Sequence, residues 1–214
     1  MTRKIYLSIG LLSASVIAFQ VTLMQLLSIV QWSHFAYMVI SVALLGFGAS
    51  GTLLALTRHF FVKHIKSILP LLMILTGISM SLIMLVSPIV FGSFDSYLLF
   101  VDRRQILGLL VAYFAFFIPF FLGALAIGLV YINYIEKIGK LYFADLLGSG
   151  TGGLLMLLLF WLFYPAQLPS VIALFPVIAG MLITPVRLRV KFAFPVFAAF
   201  ILLLVLIFSP PSLP

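Results

Sequence analysis

Long apolar runs separated by short polar breaks organise this chain. The runs cover roughly residues 5–30, 35–57, 68–92, 106–133, 142–163, 168–185 and 190–208. A helix rising about 1.5 Å per residue needs about 20 apolar residues to cross the hydrocarbon of a bilayer. The pattern therefore predicts an all-α, polytopic transmembrane helix bundle of about seven spans, forming one domain over residues 1–208. The sixth and seventh runs are short and are separated only by residues 185–189. Their alternative reading is a single re-entrant hairpin.

The polar breaks carry an orientation signal. Arg3 and Lys4, then Arg58, Lys63 and Lys66, then Lys137 and Lys140, then Arg187, Arg189 and Lys191 all fall on one side if the spans alternate. These are ten of the twelve basic residues; Arg103 and Arg104, beside Asp102, remain on the other side. Basic connections face the cytoplasm, so the expectation is a cytoplasmic N-terminus in a plasma (inner) membrane. An odd number of spans then places residues 209–214 as a short external tail. The basic start resembles a signal peptide, but the apolar stretch from Ile5 runs far beyond a signal core of about 7–15 residues. An uncleaved first helix is expected.

Composition agrees with lipid as the solvent. Hydrophobic residues make up 65% of the 214 positions and charged ones 7%, against about 25% charged in a soluble domain. The net charge of +8 would suggest nucleic acid on a soluble protein. Here the bases punctuate apolar runs instead of forming a patch, so they read as headgroup contacts, and no nucleic-acid partner is expected. The chain has no cysteine, which excludes disulfides, thiolate metal sites and cysteine nucleophiles. Pro88, Pro119, Pro176 and Pro195 fall within spans. They are tolerated in lipid as bends, because neighbouring groups re-satisfy the freed carbonyls. Residues 91–105 mix aromatic, apolar and charged positions and read as an interfacial helix, with Trp32 and Tyr37 in an aromatic belt.

Asp145 is the residue with the most chemistry to offer. It stands near the start of the fifth span, roughly 7–8 Å beyond Lys140 along a helix. A carboxylate inside a span normally faces the bundle and has a partner. One reading is a proton, cation or amine site; the other is a helix-start carboxylate paired with a base such as Arg58 or Lys63. The following run, Gly148-Ser149-Gly150-Thr151-Gly152-Gly153, lacks the strand that a phosphate-binding loop requires. Gly148 and Gly152 instead form a small-xxx-small face that lets another backbone approach closely. Gly46, Gly48, Ser50 and Gly51 form a similar surface on the second span, and the two helices are expected to pack together. Leu45-Gly46 with Gly51 and Leu122-Gly123 with Gly128 form a faint internal echo.

Gln20 and Gln25 in the first span read as amides hydrogen-bonding across helices, with ligand contact as the alternative. His34 lies near the external surface and can titrate near neutral pH. No metal set, cofactor motif or Ser/His/Asp constellation can be assembled, so the chain is not expected to be catalytic on its own.

Two stretches resemble the membrane portion of bacterial spermidine synthase-like proteins, the polytopic aminopropyltransferase homologues. The first comprises Gln25-Leu26-Leu27-Ser28-Ile29-Val30, Phe35-Ala36-Tyr37-Met38 and Leu45-Gly46-Phe47-Gly48-Ala49-Ser50-Gly51. The second is Tyr142-Phe143-Ala144-Asp145-Leu146-Leu147-Gly148-Ser149-Gly150. In that family the helices commonly precede a soluble Rossmann-like domain that does the chemistry. The resemblance implies a membrane subunit or domain that anchors a partner, such as a soluble aminopropyltransferase-like protein, and binds or passes a small molecule. Asp145, Tyr142, Gln20, Gln25 and His34 are its candidate ligand contacts. The alternatives are a small secondary transporter for a cationic or apolar solute, on the strength of Asp145 and the bent helices, and a structural subunit of a larger membrane complex.

Overall fold

The computed structural model describes residues 2–30, 34–91 and 103–185 continuously, together with 196, 200, 201, 203–206 and 208. Six long helices make up the continuous part: α1 (Thr2–Val30), α2 (His34–Lys63), α3 (Ile65–Phe91), α4 (Arg103–Asn133), α5 (Ile138–Leu162) and α6 (Leu168–Ile183). All six are long and apolar enough to cross a membrane. The chain is thus an all-α, multi-pass membrane protein. The expected seventh span, 190–208, lies mostly outside the described residues, as do Pro195, Trp32 and most of the expected interfacial helix. Its described residues are helical, and Leu203 and Leu206 are buried.

The connections set the topology. His64 alone separates α2 from α3, and 3-10 turns at Ile135–Lys137 and Pro165–Gln167 lead into α5 and α6. Prolines open the last two elements: Pro165 starts the turn and Pro169 lies in the first turn of α6, where the missing N–H would be unpaired in any case. α2 is kinked at Thr57 (φ −116°, ψ 16°), the residue where the apolar run ends. Beyond it, Arg58, His59 and Lys63 are exposed.

Neighbours in sequence are not the main neighbours in space. α1 packs against α5, α6, α2 and, more lightly, α4; α4 packs against α2 and α3; α3 packs against α6. The helices α1, α2, α4, α3 and α6 close into a ring, and α5 is attached to its outside, chiefly through α1. Buried side chains from all of the elements form one core, in which Phe19 of α1 meets Phe120 of α4 at 5.6 Å between ring centroids.

Contacts near the helix ends bring the basic residues together. Tyr6 of α1 lines a cleft with Lys137 and Lys140. The Ser8 hydroxyl donates to the Ala179 carbonyl near the end of α6 at 3.0 Å, and Gly180 sits against Pro70 at the start of α3. Leu54 of α2 abuts Gly128 late in α4. Apart from Arg103 and Arg104 at the start of α4, the described basic segments therefore share one end of the bundle, as alternating spans require.

Pro119 lies inside α4 and Pro176 inside α6. Each removes one backbone donor and frees the carbonyl four residues earlier. At Pro176 the neighbouring helix supplies room: Gly77 of α3 has no Cβ, and one placed there would lie 2.6 Å from the Ala173 carbonyl oxygen and 3.3 Å from the Pro176 ring.

Candidate functional site

The turn after α4 places its last residues beside the first turns of α5. The Lys137 amide donates to the Tyr134 carbonyl at 2.9 Å and the Tyr134 amide to the Val130 carbonyl at 3.0 Å, reversing the chain within four residues. Tyr131 and Asp145 then face one another across the hairpin. The Tyr131 hydroxyl donates to Asp145 Oδ2 in a short hydrogen bond, and both residues are half-buried. Among the described residues no ion pair joins Asp145 to Arg58 or Lys63. The carboxylate is held by a phenol from the adjacent helix, not by a loop base. A neutral donor can do this because a carboxylate so close to the basic end retains part of its hydration.

One turn deeper, α5 meets α1. A methyl group placed at Gly148 would lie 2.7 Å from Gly10 Cα, and one at Gly152 would lie 2.6 Å from Ala14 Cα. The contacted atoms are backbone, which cannot step aside. Gly148-x-x-x-Gly152 thus faces Gly10-x-x-x-Ala14 in a parallel pair, as small-xxx-small faces do in membranes. Farther along the same seam the Thr22 hydroxyl approaches Met156 Sδ at 3.2 Å.

The expected pairing of the α5 glycines with those of α2 is corrected by these contacts. Gly46 of α2 packs on α4, where a Cβ would lie 2.9 Å from Phe120 Cβ and from the Phe121 amide nitrogen. Gly48 and Gly51 have nothing within 4 Å of an added Cβ. The preference for α1 has a physical reason: Gly10 and Ala14 are themselves small and sit four apart, so two backbones can meet over two successive turns. On α2, Gly48 and Gly51 stand two and five residues from Gly46 and so fall on a different face from it.

The other candidate ligand contacts do not converge on Asp145. Tyr142 is exposed on the outer side of α5. Gln20 is half-buried and Gln25 exposed, and neither amide side chain forms a hydrogen bond among the described residues. His34 opens α2, and its side chain lies outside what is described. No group of three His, Cys, Asp or Glu residues is placed to hold a metal among the described residues.

Sequence reasoning missed the partner residues Tyr131, Gly10 and Ala14. A tyrosine fourteen positions before an intramembrane carboxylate, on the far side of a tight turn, is a weak signal. Gly10-x-x-x-Ala14 was a visible one, since it repeats the small-xxx-small spacing already noted on α5.

Two clefts flank this region. One, of about 490 Å³, is lined by Tyr6, Glu136, Lys137, Gly139 and Lys140. The other, of about 610 Å³, runs along the α1–α5 seam past Leu7, Gly10, Leu11, Ala14, Phe143, Ala144, Leu147, Gly148 and Thr151, with Lys140 at its mouth. Fold and seam together define a polytopic helical membrane protein. No protein-family model, curated protein or solved structure matches the chain.

Proposed function

We propose that this chain is the inner-membrane subunit or domain of a spermidine synthase-like system, serving to anchor a partner at the membrane. One observation supports the reading above others: three of the residues that carry the resemblance are fasteners. Asp145 ties α5 to α4, Gly148 seats α5 on the α1 backbone, and Gly46 seats α2 on α4. A motif spent on assembling helices suits a scaffold. With one face of α5 on α1, Phe143, Leu147, Leu154, Leu158 and Trp161 are left exposed for lipid or another subunit. Purification of the native complex in mild detergent tests the proposal. The expected result is a stoichiometric soluble aminopropyltransferase-like subunit, and recovery of the intact chain alone would overturn it.

A second reading, a small transporter for a cationic solute, is favoured by the Tyr131–Asp145 pair, a carboxylate about two turns inside the fifth helix. Polyamine uptake into proteoliposomes should then fall in Asp145→Asn. Flux equal to that of the unaltered chain would remove Asp145 from any transport mechanism.

A further inference from the structure

The two clefts at the start of α5 adjoin, sharing Tyr6, Gly139 and Lys140, and they differ in character. The outer one is polar and carries Lys137 and Lys140 with one carboxylate, Glu136. The inner one is apolar, bounded by Leu7, Leu11, Phe143 and Leu147, with Gly10, Ala14 and Gly148 at its base and Thr151 at its far end. From Lys140 to Thr151 is eleven residues, or roughly 16 Å of helix. That is about half of a 30 Å hydrocarbon core, the depth of one leaflet. Leu7, Phe143 and Leu147 are 62%, 67% and 57% exposed, so the groove opens sideways toward lipid, not into the bundle.

We propose that this continuous cleft is a binding site for an anionic phospholipid of the leaflet at the basic end, with one acyl chain along the α1–α5 groove and the phosphate at Lys137 and Lys140. The charge is complementary: two ammonium groups against a single carboxylate leave a net positive mouth at headgroup level, with Arg3 and Lys4 one turn before Tyr6 adding to the field. Basic pockets between helices on the cytoplasmic side favour anionic headgroups in this way. A zwitterionic lipid fits the groove equally but gains less at the mouth. The inference stands whether or not the chain anchors an enzyme.

Lipid retention by the purified full chain, read by native mass spectrometry, tests it. The probes are dioleoyl-phosphatidylglycerol, dioleoyl-phosphatidylcholine and glycerol 1-phosphate, the last presenting the phosphate without chains. One phosphatidylglycerol per chain should be retained in preference to phosphatidylcholine. The exposed pair Lys137→Gln/Lys140→Gln should weaken it about tenfold or more. Thr151→Phe, which fills the inner end of the groove, should weaken both lipids. Arg58→Gln/Lys66→Gln removes as much charge from the same end and should leave retention unchanged. Equal retention of the two lipids, an equal loss in the Arg58/Lys66 variant, or glycerol 1-phosphate binding as tightly as the lipid would each overturn the proposal.

Discussion

Along the α1–α5 seam two glycines of one helix lie on the backbone of the other; along the α2–α4 seam one glycine lies on the partner's backbone and the other receives a side-chain tip. Both seams join parallel helices distant in sequence, and both use glycine. In the first, Gly148 and Gly152 lie against the Gly10 and Ala14 backbone. In the second, Gly46 of α2 lies against the α4 backbone at Phe120 and Phe121, and Gly128 of α4 receives the tip of Leu54 of α2. A small residue facing a small residue brings axes together and leaves nothing to yield. A small residue facing a large one makes a socket whose occupant can be trimmed. Lipid tails are as apolar as leucine, so neither seam gains from a hydrophobic drive between helices, and closeness of fit carries the association.

The difference predicts where damage is reversible. Gly148→Leu or Gly152→Leu forces α5 away from α1 and should destabilise the bundle by about 3 kcal/mol or more, at the upper end of overpacking costs. Denaturation in mixed micelles measures it, and near-native stability would show that α5 is not locked to α1. No second-site truncation in α1 should rescue either variant, because Gly10 and Ala14 have almost nothing to remove. Gly128→Leu should cost less, about 1–3 kcal/mol. An added Cβ there meets the tip of Leu54 at 2.6 Å, and adding Leu54→Ala should recover part of the loss. Failure of that rescue, under the same denaturation, would erase the distinction between the two seams.

These seams also mark how far the sequence could be read. Six of the seven expected spans correspond to long helices, because an apolar run of some 20 residues has one stable form in lipid. The α5 glycine face was legible for the same reason: Gly148 and Gly152 repeat at helical spacing. Its partner is not legible from glycine content, which points to α2, because what decides is the face each glycine occupies. Gly48 and Gly51 look away from any neighbour, while the plainer Gly10 and Ala14 receive α5. For Asp145 the need for a partner followed from the cost of a buried carboxylate, but the partner's identity depended on the turn after Asn133. Opposite charge points to Arg58 and Lys63 and gives no sign of Tyr131. Gln25, read as an interhelical amide, lies exposed, since one residue in an apolar run carries no mark of the face it takes.

The Tyr131–Asp145 bond offers a milder break than either seam. Tyr131→Phe removes the donor and leaves the packing in place, and should cost about 0.6 kcal/mol, the average for side-chain hydrogen bonds in membrane bundles. Asp145→Asn keeps an acceptor for the phenol and should cost less. In the double variant the two losses should fall short of additive. Strict additivity in the same micellar assay would mean that the two residues act independently.

The smallest effect belongs to the residues that look most like a packing motif. Gly48→Leu and Gly51→Leu place side chains where nothing lies within 4 Å. Each should change stability by no more than about 0.5 kcal/mol, as for surface positions away from structured contacts. Removing a helix glycine offsets part of any loss, since leucine has the better helix propensity. The measurement separates two meanings of a glycine-rich helix. If both variants unfold like Gly148→Leu, then α2 presses on another surface as closely as α5 presses on α1, and a second chain is the remaining candidate for that surface. If both stay native, the glycines of α2 divide by face: Gly46 seats the helix on α4, and the other two turn toward lipid.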